Sequence, residues 1–132
     1  MNARRARPAK AIEGEAWRPA QGDVCWADLG DPVGSGPGFR RTVLVVQGNA
    51  FNRSAIGTVL CVPLTSNLRW ASAPGNVELP PRESGLEKPS VANVSQLTAL
   101  DRGVLVAFVG RVSAAKLDLV LRGIDCVLGR GA

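Results

Sequence analysis

Apolar and polar residues alternate over 23–29 (DVCWADL), which puts Val24 and Trp26 on one side of an extended chain and Cys25, Ala27 and Leu29 on the other. That is the period of a strand. Two nearly continuous, β-branched apolar runs follow at 42–47 (TVLVVQ) and 57–64 (GTVLCVPL). Both are bounded by turn residues and are expected to be buried strands. Pro63 should stand at a strand end or a sheet edge, because proline has no N–H to give a ladder. Residues 76–79, 90–97 and 104–112 complete six expected strands. The pattern then changes. Leu117, Val120, Leu121, Ile124, Val127 and Leu128 recur at three- and four-residue spacing, the stripe of an amphipathic helix. Ser113 is its expected N-cap and Gly129 its stop. Six strands with glycine-rich turns and one terminal helix predict a mainly β (α+β) domain, a small twisted barrel with the helix against it.

Two stretches carry no periodicity. Residues 1–20 are rich in Arg, Ala and Pro and are expected to form a disordered basic arm, with one domain over 21–129 and a tail at 130–132. At 30–38 (GDPVGSGPG), six of nine residues are Gly or Pro, which excludes helix and strand. A loop of that length in a 132-residue chain is usually functional. Residues 80–89 (PPRESGLEKP) are another irregular stretch. No apolar run approaches the ~20 residues that span a bilayer, and the basic start is not followed by an apolar segment. A soluble, cytoplasmic protein without membrane association is expected.

Composition narrows the chemistry. The chain has no histidine and no tyrosine, which excludes imidazole acid–base catalysis, His-ligated metals and phenolic nucleophiles. Asp and Glu are scattered singly, so no carboxylate cluster for a pair of metal ions is expected, and no cofactor. Net charge is +5, of which the first 16 residues supply +2 and the remainder +3. Such a field suits a polyanionic partner and also plain solubility. Cys25, Cys61 and Cys126 are far apart, have apolar neighbours and show no metal-ligand spacing; reduced, buried thiols are expected.

The candidate chemistry collects at two strand ends. Arg40 and Arg41 lie where the Gly/Pro loop enters the strand 42–47, and Thr65 and Ser66 lie where the strand 57–64 leaves. Each feature alone is commonplace: a surface arginine pair, and hydroxyls that satisfy turn backbone. If the two strands form an antiparallel hairpin, however, Arg41 meets Thr65 beneath the loop. A guanidinium beside a hydroxyl under a lid suits a phosphate oxyanion. Trp26, Phe39, Phe51 and Trp70 offer stacking surface for bases, Trp26 being the one best explained as core. Gln47, Asn49, Asn52, Asn67, Asn93 and Gln96 supply amides able to read base edges.

Three segments, in order, resemble one family. GDVCWADLGDPVGSGPGFRRTVLVVQ (22–47) is similar to the opening of MazF/PemK-type toxins, the endoribonucleases of type II toxin–antitoxin modules. VLCVPLTSN (59–67) is similar to their second apolar strand ending in Pro-Leu-Thr. GLEKPSVANVSQLTALDRG (85–103) is similar to a late stretch with a Ser, a Gln and a Thr-x-x-Asp. The resemblance covers about residues 21–129. It implies an SH3-like (MazF/CcdB-like) barrel with a C-terminal helix, usually a homodimer. It further implies metal-independent, sequence-specific cleavage of single-stranded RNA to 2′,3′-cyclic phosphate and 5′-OH ends, with inhibition of translation and growth.

The family's catalytic arginine and threonine fall on Arg41 and Thr65. RNA contacts are expected from Arg40, Gln47, Asn49, Asn52, Ser66, Asn67, Ser90 and Gln96. The implied partner besides RNA is a cognate antitoxin with an acidic, disordered C-terminal segment. Two positions depart from the pattern: Gly36 stands where the family has Glu, and Thr42 where it has Pro. They leave two alternatives, a non-catalytic barrel toxin that poisons a protein such as gyrase, and a degenerate member that only binds RNA or antitoxin. The gyrase-binding toxins act through aromatic and hydrophobic residues at the extreme C-terminus, whereas this chain ends in Gly-Arg-Gly-Ala.

Overall fold

The computed structural model describes residues 10–11, 17–31, 34–35 and 39–131. Its strands are β1 (Lys10–Ala11), β2 (Asp23–Asp28), β3 (Arg40–Val45), β4 (Thr58–Thr65), β5 (Val77–Leu79), β6 (Ser90–Ala92), β7 (Thr98–Asp101) and β8 (Leu105–Arg111). Two single-turn helices, α1 (Asn49–Asn52) and α2 (Pro81–Ser84), lie in connections, and α3 (Ala114–Val127) closes the fold. The sheet is antiparallel, in the order β1-β8-β2-β3-β4-β6-β5, with β7 also paired to β4. It curls into a half-barrel against which α3 packs.

Strand β4 holds the architecture together. Its first half pairs with β7 (Cys61↔Thr98) and its end with β6 (Thr65↔Val91). Between those pairs β4 advances four residues while its partner chain advances seven. The three extra residues fold into a 3₁₀ turn, Val94–Gln96, pinned by the Val94 N–H donating to Asn76 Oδ1 at 2.9 Å. The single strand expected over 90–97 is therefore a short strand and a turn, and β7 is an element the hydrophobic pattern did not reveal. Pro63 corrects a second expectation. It sits inside β4, paired with Val43, and its carbonyl accepts from Asn93 N–H at 3.0 Å. Backbone N and C=O of one strand residue point the same way, so its missing N–H faces the jog between β6 and β7. No ladder bond is lost there.

Alternation in β2 distributes two cores as expected. Val24 packs with Leu44, Val62, Leu64, Leu79, Ala92, Val94 and Val120 on one face. Cys25 and Ala27 pack with Val43, Val45, Val59, Cys61 and Leu105 on the other. Helix α3 begins at the expected N-cap, Ser113, whose Oγ accepts from Lys116 N–H at 3.2 Å. Leu117, Leu121 and Ile124 join the first core beside Val120, whereas Val127 and Leu128 end the stripe exposed. Gly123 meets Gly75 backbone to backbone: a Cβ at Gly123 would stand 2.0 Å from the Gly75 carbonyl oxygen.

Two parts of the expected N-terminal arm lie against the domain. Lys10–Ala11 pair with Phe108 and Ala107 of β8, and Trp17 packs on the second core beside buried Pro19. The rest of the arm lies outside the described residues. Of the thiols expected to be buried, Cys25 and Cys61 are, and Cys126 is exposed on α3. Burial pushes the Cys61 thiol up to about 12. Cys25 is raised further, by burial first and by Asp23 and Cys61 after it.

Candidate functional site

The antiparallel register of β3 and β4 pairs Val43 with Pro63, and two steps further on it sets Arg41 opposite Thr65. Both border a groove of about 290 Å³ at the strand ends, with Trp26 of β2, Ser66, and Leu86, Lys88 and Ser90 from the connection into β6. Alternation puts Trp26, Thr42, Leu64 and Ser90 on the face of the first core and Arg41 and Thr65 on the other. The groove lies across the sheet's end, where side chains from both faces are reachable.

Its electrostatics are one-sided. Arg40, Arg41 and Lys88 supply positive charge, Thr65, Ser66 and Ser90 supply hydroxyls, and among the described residues no carboxylate lines it. Arg41 Nη2 donates to the Leu64 carbonyl at 3.3 Å, which steadies the guanidinium while leaving most of its five N–H groups free. Arg40 lies over the Trp26 ring at 5.6 Å, within cation–π range. Trp26, expected to be core, thus serves twice, packing against the first core and forming a groove wall. Thr65 Oγ1 accepts from Asn67 N–H at 3.2 Å. The hydroxyl satisfies the turn and keeps its own proton to donate. Ser90 is 3% exposed, and its Oγ is buried without a hydrogen-bond partner. Few buried hydroxyls are left so. This one lies at a cation-lined cleft.

The Gly/Pro loop before β3 is described at 30–31, 34–35 and 39; Gly36 lies outside the described residues. Gln96 Nε2 donates to the Ser35 carbonyl at 3.2 Å, tying the loop to the turn after β6. Phe39 leaves the loop with φ +59°, a left-handed conformation unusual for a bulky residue, and is 64% exposed. Asn67 is exposed at the groove's margin, its Oδ1 capping a 3₁₀ turn through Arg69 N–H at 3.3 Å.

Of the residues expected to touch RNA, Gln96 does not line this groove, and Gln47, Asn49 and Asn52 lie well away from it. Gln47 and Asn52 are buried, 6% and 1% exposed, beyond the opposite end of β3, about 20 Å along the strand from Arg41 at ~3.3 Å per residue. Gln47 Nε2 donates to Asn52 Oδ1 at 3.0 Å and to the Thr58 carbonyl at 3.1 Å, and Gln47 Oε1 accepts from Leu60 N–H at 3.2 Å. Asn52 Nδ2 donates to the Gln47 carbonyl at 2.9 Å, and Asn49 Oδ1 accepts from Gln21 N–H at 2.8 Å. These amides knit the β3–β4 connection: both ends of the Gln47 and Asn52 side chains are occupied, as is Asn49 Oδ1. Phe51 and Trp70 are exposed but also lie off the groove. Conversely, the sequence pattern did not reveal Lys88. It sits in the irregular stretch 80–89, and only the pairing of β6 with β4 brings it to the site. Among the described residues no three His, Cys, Asp or Glu side chains cluster to hold a metal, and no helix is long and apolar enough to cross a membrane.

The fold is thus a curled sheet with a C-terminal helix, carrying a cationic, hydroxyl-rich groove with no carboxylate among its described lining residues. The chain belongs to the PemK-like, MazF-like toxin family of type II toxin–antitoxin systems, whose family model matches residues 20–128. It is 41% identical over 109 residues to endoribonuclease MazF2 of Mycobacterium bovis and to endoribonuclease MazF6 of Mycobacterium tuberculosis, covering 83% of this chain and 96% of each relative. Endoribonuclease EndoA of Bacillus subtilis is 32% identical over 100 residues, 76% of this chain and 85% of that protein. In three dimensions it is similar to MazF from Deinococcus radiodurans, with TM-score 0.73 and 25% identity over 86% of this chain and 98% of that one. A mycobacterial endoribonuclease in complex with its cognate antitoxin superposes with TM-score 0.66 and 25% identity over 87% and 97% of the two chains.

Proposed function

We propose that this MazF-like toxin is an endoribonuclease that cuts single-stranded RNA without a metal ion, in the cytoplasm, and is held in check by a cognate antitoxin. The observation that carries the reading is the groove itself: Arg41 and Thr65 flank a cleft with cations on both walls and no carboxylate among the described residues. Relatives sharing the fold and 41% of the sequence are named endoribonucleases, which favours RNA cleavage over the poisoning of a protein target.

RNA brings its own nucleophile. A 2′-OH aligned opposite the leaving 5′-oxygen attacks phosphorus, and alignment alone supplies much of the acceleration. Arg41 donates to the non-bridging oxygens as negative charge builds on the phosphorane. Thr65, its oxygen already accepting from Asn67 N–H, donates a hydrogen bond to a phosphoryl oxygen. The products are a 2′,3′-cyclic phosphate and a 5′-OH end. In this reading Arg40 and Ser66, which line the groove, contact flanking nucleotides, with Asn67 next along the chain. The toxin domain in this reading is 21–129, preceded by a basic arm that adds to the attraction for RNA.

An acidic, disordered antitoxin segment suits the same groove, since charge that attracts phosphate also attracts Asp and Glu. The solved complexes of related toxins with their antitoxins support such a partner, and a homodimer is the assembly the family implies. The test is incubation of the purified protein with a long RNA in excess EDTA, beside a supercoiling assay. Discrete fragments with cyclic phosphate ends are expected. Strict Mg²⁺ dependence, or inhibition of supercoiling without RNA cleavage, would overturn the reading.

A further inference from the structure

Cleavage leaves a 5′-oxygen that needs a proton, and the groove offers few donors. Among the described residues no carboxylate lines it, the chain has no histidine, and the family's loop Glu is replaced by Gly36. Guanidinium groups keep their protons in proteins. Moreover, Arg40 is engaged on Trp26 and Arg41 on the Leu64 carbonyl. Lys88 is the remaining acid among the lining side chains. An ammonium carries three protons and surrenders one far more readily than a guanidinium, which is why lysines serve in general acid–base catalysis.

Its placement is built by the chain. Pro89 restricts the residue before it to extended backbone, and Ser90 starts β6, fastened to β4 at Thr65↔Val91. Lys88 is thereby presented to the groove from the wall facing Arg41. It makes no ion pair among the described residues, and the same wall holds the buried, unpartnered Ser90 Oγ. One wall thus offers a fixed guanidinium with a hydroxyl, and the other a free ammonium with a hydroxyl lacking a partner.

We propose that Lys88 is a catalytic residue, the general acid that protonates the leaving 5′-oxygen; this rests on the ribonuclease reading above. The 2′-oxygen bonds to phosphorus and its proton passes to solvent water. The P–O5′ bond breaks with its electron pair on O5′, Lys88 Nζ delivers one proton there, and the neutral amine regains a proton from water.

The test uses the fastest-cut site mapped in a long RNA, synthesised as an oligonucleotide with either oxygen or sulfur at the bridging 5′ position. A thiolate leaves without a proton. Lys88→Ala is therefore expected to lose about 10²-fold in the chemical step on the oxygen substrate yet stay within about threefold of wild type on the sulfur substrate. Lys88→Arg, which keeps the charge, should not rescue the oxygen substrate. Equal losses on both substrates would overturn the proposal and leave Lys88 a charge clamp. So would full activity of Lys88→Ala, or rescue by Lys88→Arg. A wild-type protein that cuts no RNA in EDTA would instead sink the ribonuclease reading itself. Lys88 is exposed, so circular dichroism of the variants should match wild type.

Discussion

Replacing Ser90 by alanine should make this protein more stable and less active, and the two signs come from one atom. Ser90 is 3% exposed, and its Oγ has no hydrogen-bond partner. A hydroxyl buried in that state costs about 1–3 kcal/mol relative to a satisfied or absent one. Alanine keeps the methylene and removes the oxygen, losing only a few dispersion contacts at ~0.1–0.2 kcal/mol each. The balance is about 1 kcal/mol in favour of Ser90→Ala. For a domain of this size, that raises Tm by about 3–5 °C. The same oxygen borders the groove. A hydroxyl donating to a charged phosphate is worth ~1.5–3 kcal/mol, so cleavage by the variant should fall about tenfold or more. Scanning calorimetry and initial rates on one RNA measure both quantities. A lowered Tm for Ser90→Ala would show that the hydroxyl is paired in the folded protein. Unchanged cleavage would show that RNA does not reach it.

Arg41→Ala should lose about 10²–10³-fold in cleavage rate with its Tm unaltered, and Thr65→Ala should lose less, because a charged donor outweighs a neutral one at a developing oxyanion. Near wild-type turnover by Arg41→Ala would refute that role. Asn52→Ala should behave in the opposite way. It leaves Gln47 Nε2 and the Gln47 carbonyl short of partners, lowering stability by about 2 kcal/mol, while RNA affinity measured below the transition stays at the wild-type value. In Gly123→Ala the new Cβ would stand 2.0 Å from a backbone oxygen. The clash should outweigh alanine's ~1 kcal/mol advantage in helix propensity and lower the melting temperature by several degrees. An unchanged or raised value would show that α3 shifts freely.

Much of this fold is written in local pattern. Strands β2, β3, β4 and β8 and helix α3 with its Ser113 cap stand where periodicity and turn residues put them, because burial of one face imposes a period on the residues that form it. The pairing of Arg41 with Thr65 was also readable, since an antiparallel hairpin joins the start of one strand to the end of the other. Local pattern did not reveal β7, or the jog that lets Pro63 sit within a central strand. Both exist because β4 is long enough to hold two partners in succession, a property of the pairing and not of either segment. The amides of Gln47, Asn49 and Asn52 misled for a related reason. An amide has the same donors and acceptors in a loop as in a cleft, and only the folded chain decides whether backbone has already taken them. Lys88 illustrates the converse. The segment EKPS drew attention only through Ser90, and the Lys88 ammonium reaches the arginine groove only because β6 is hydrogen-bonded to the end of β4, some two dozen residues earlier in the chain. Residue types and their periods settled which elements form and which chemistry was available; long-range pairing settled which side chains share one cleft, since proximity across a sheet depends on register and not on distance along the chain.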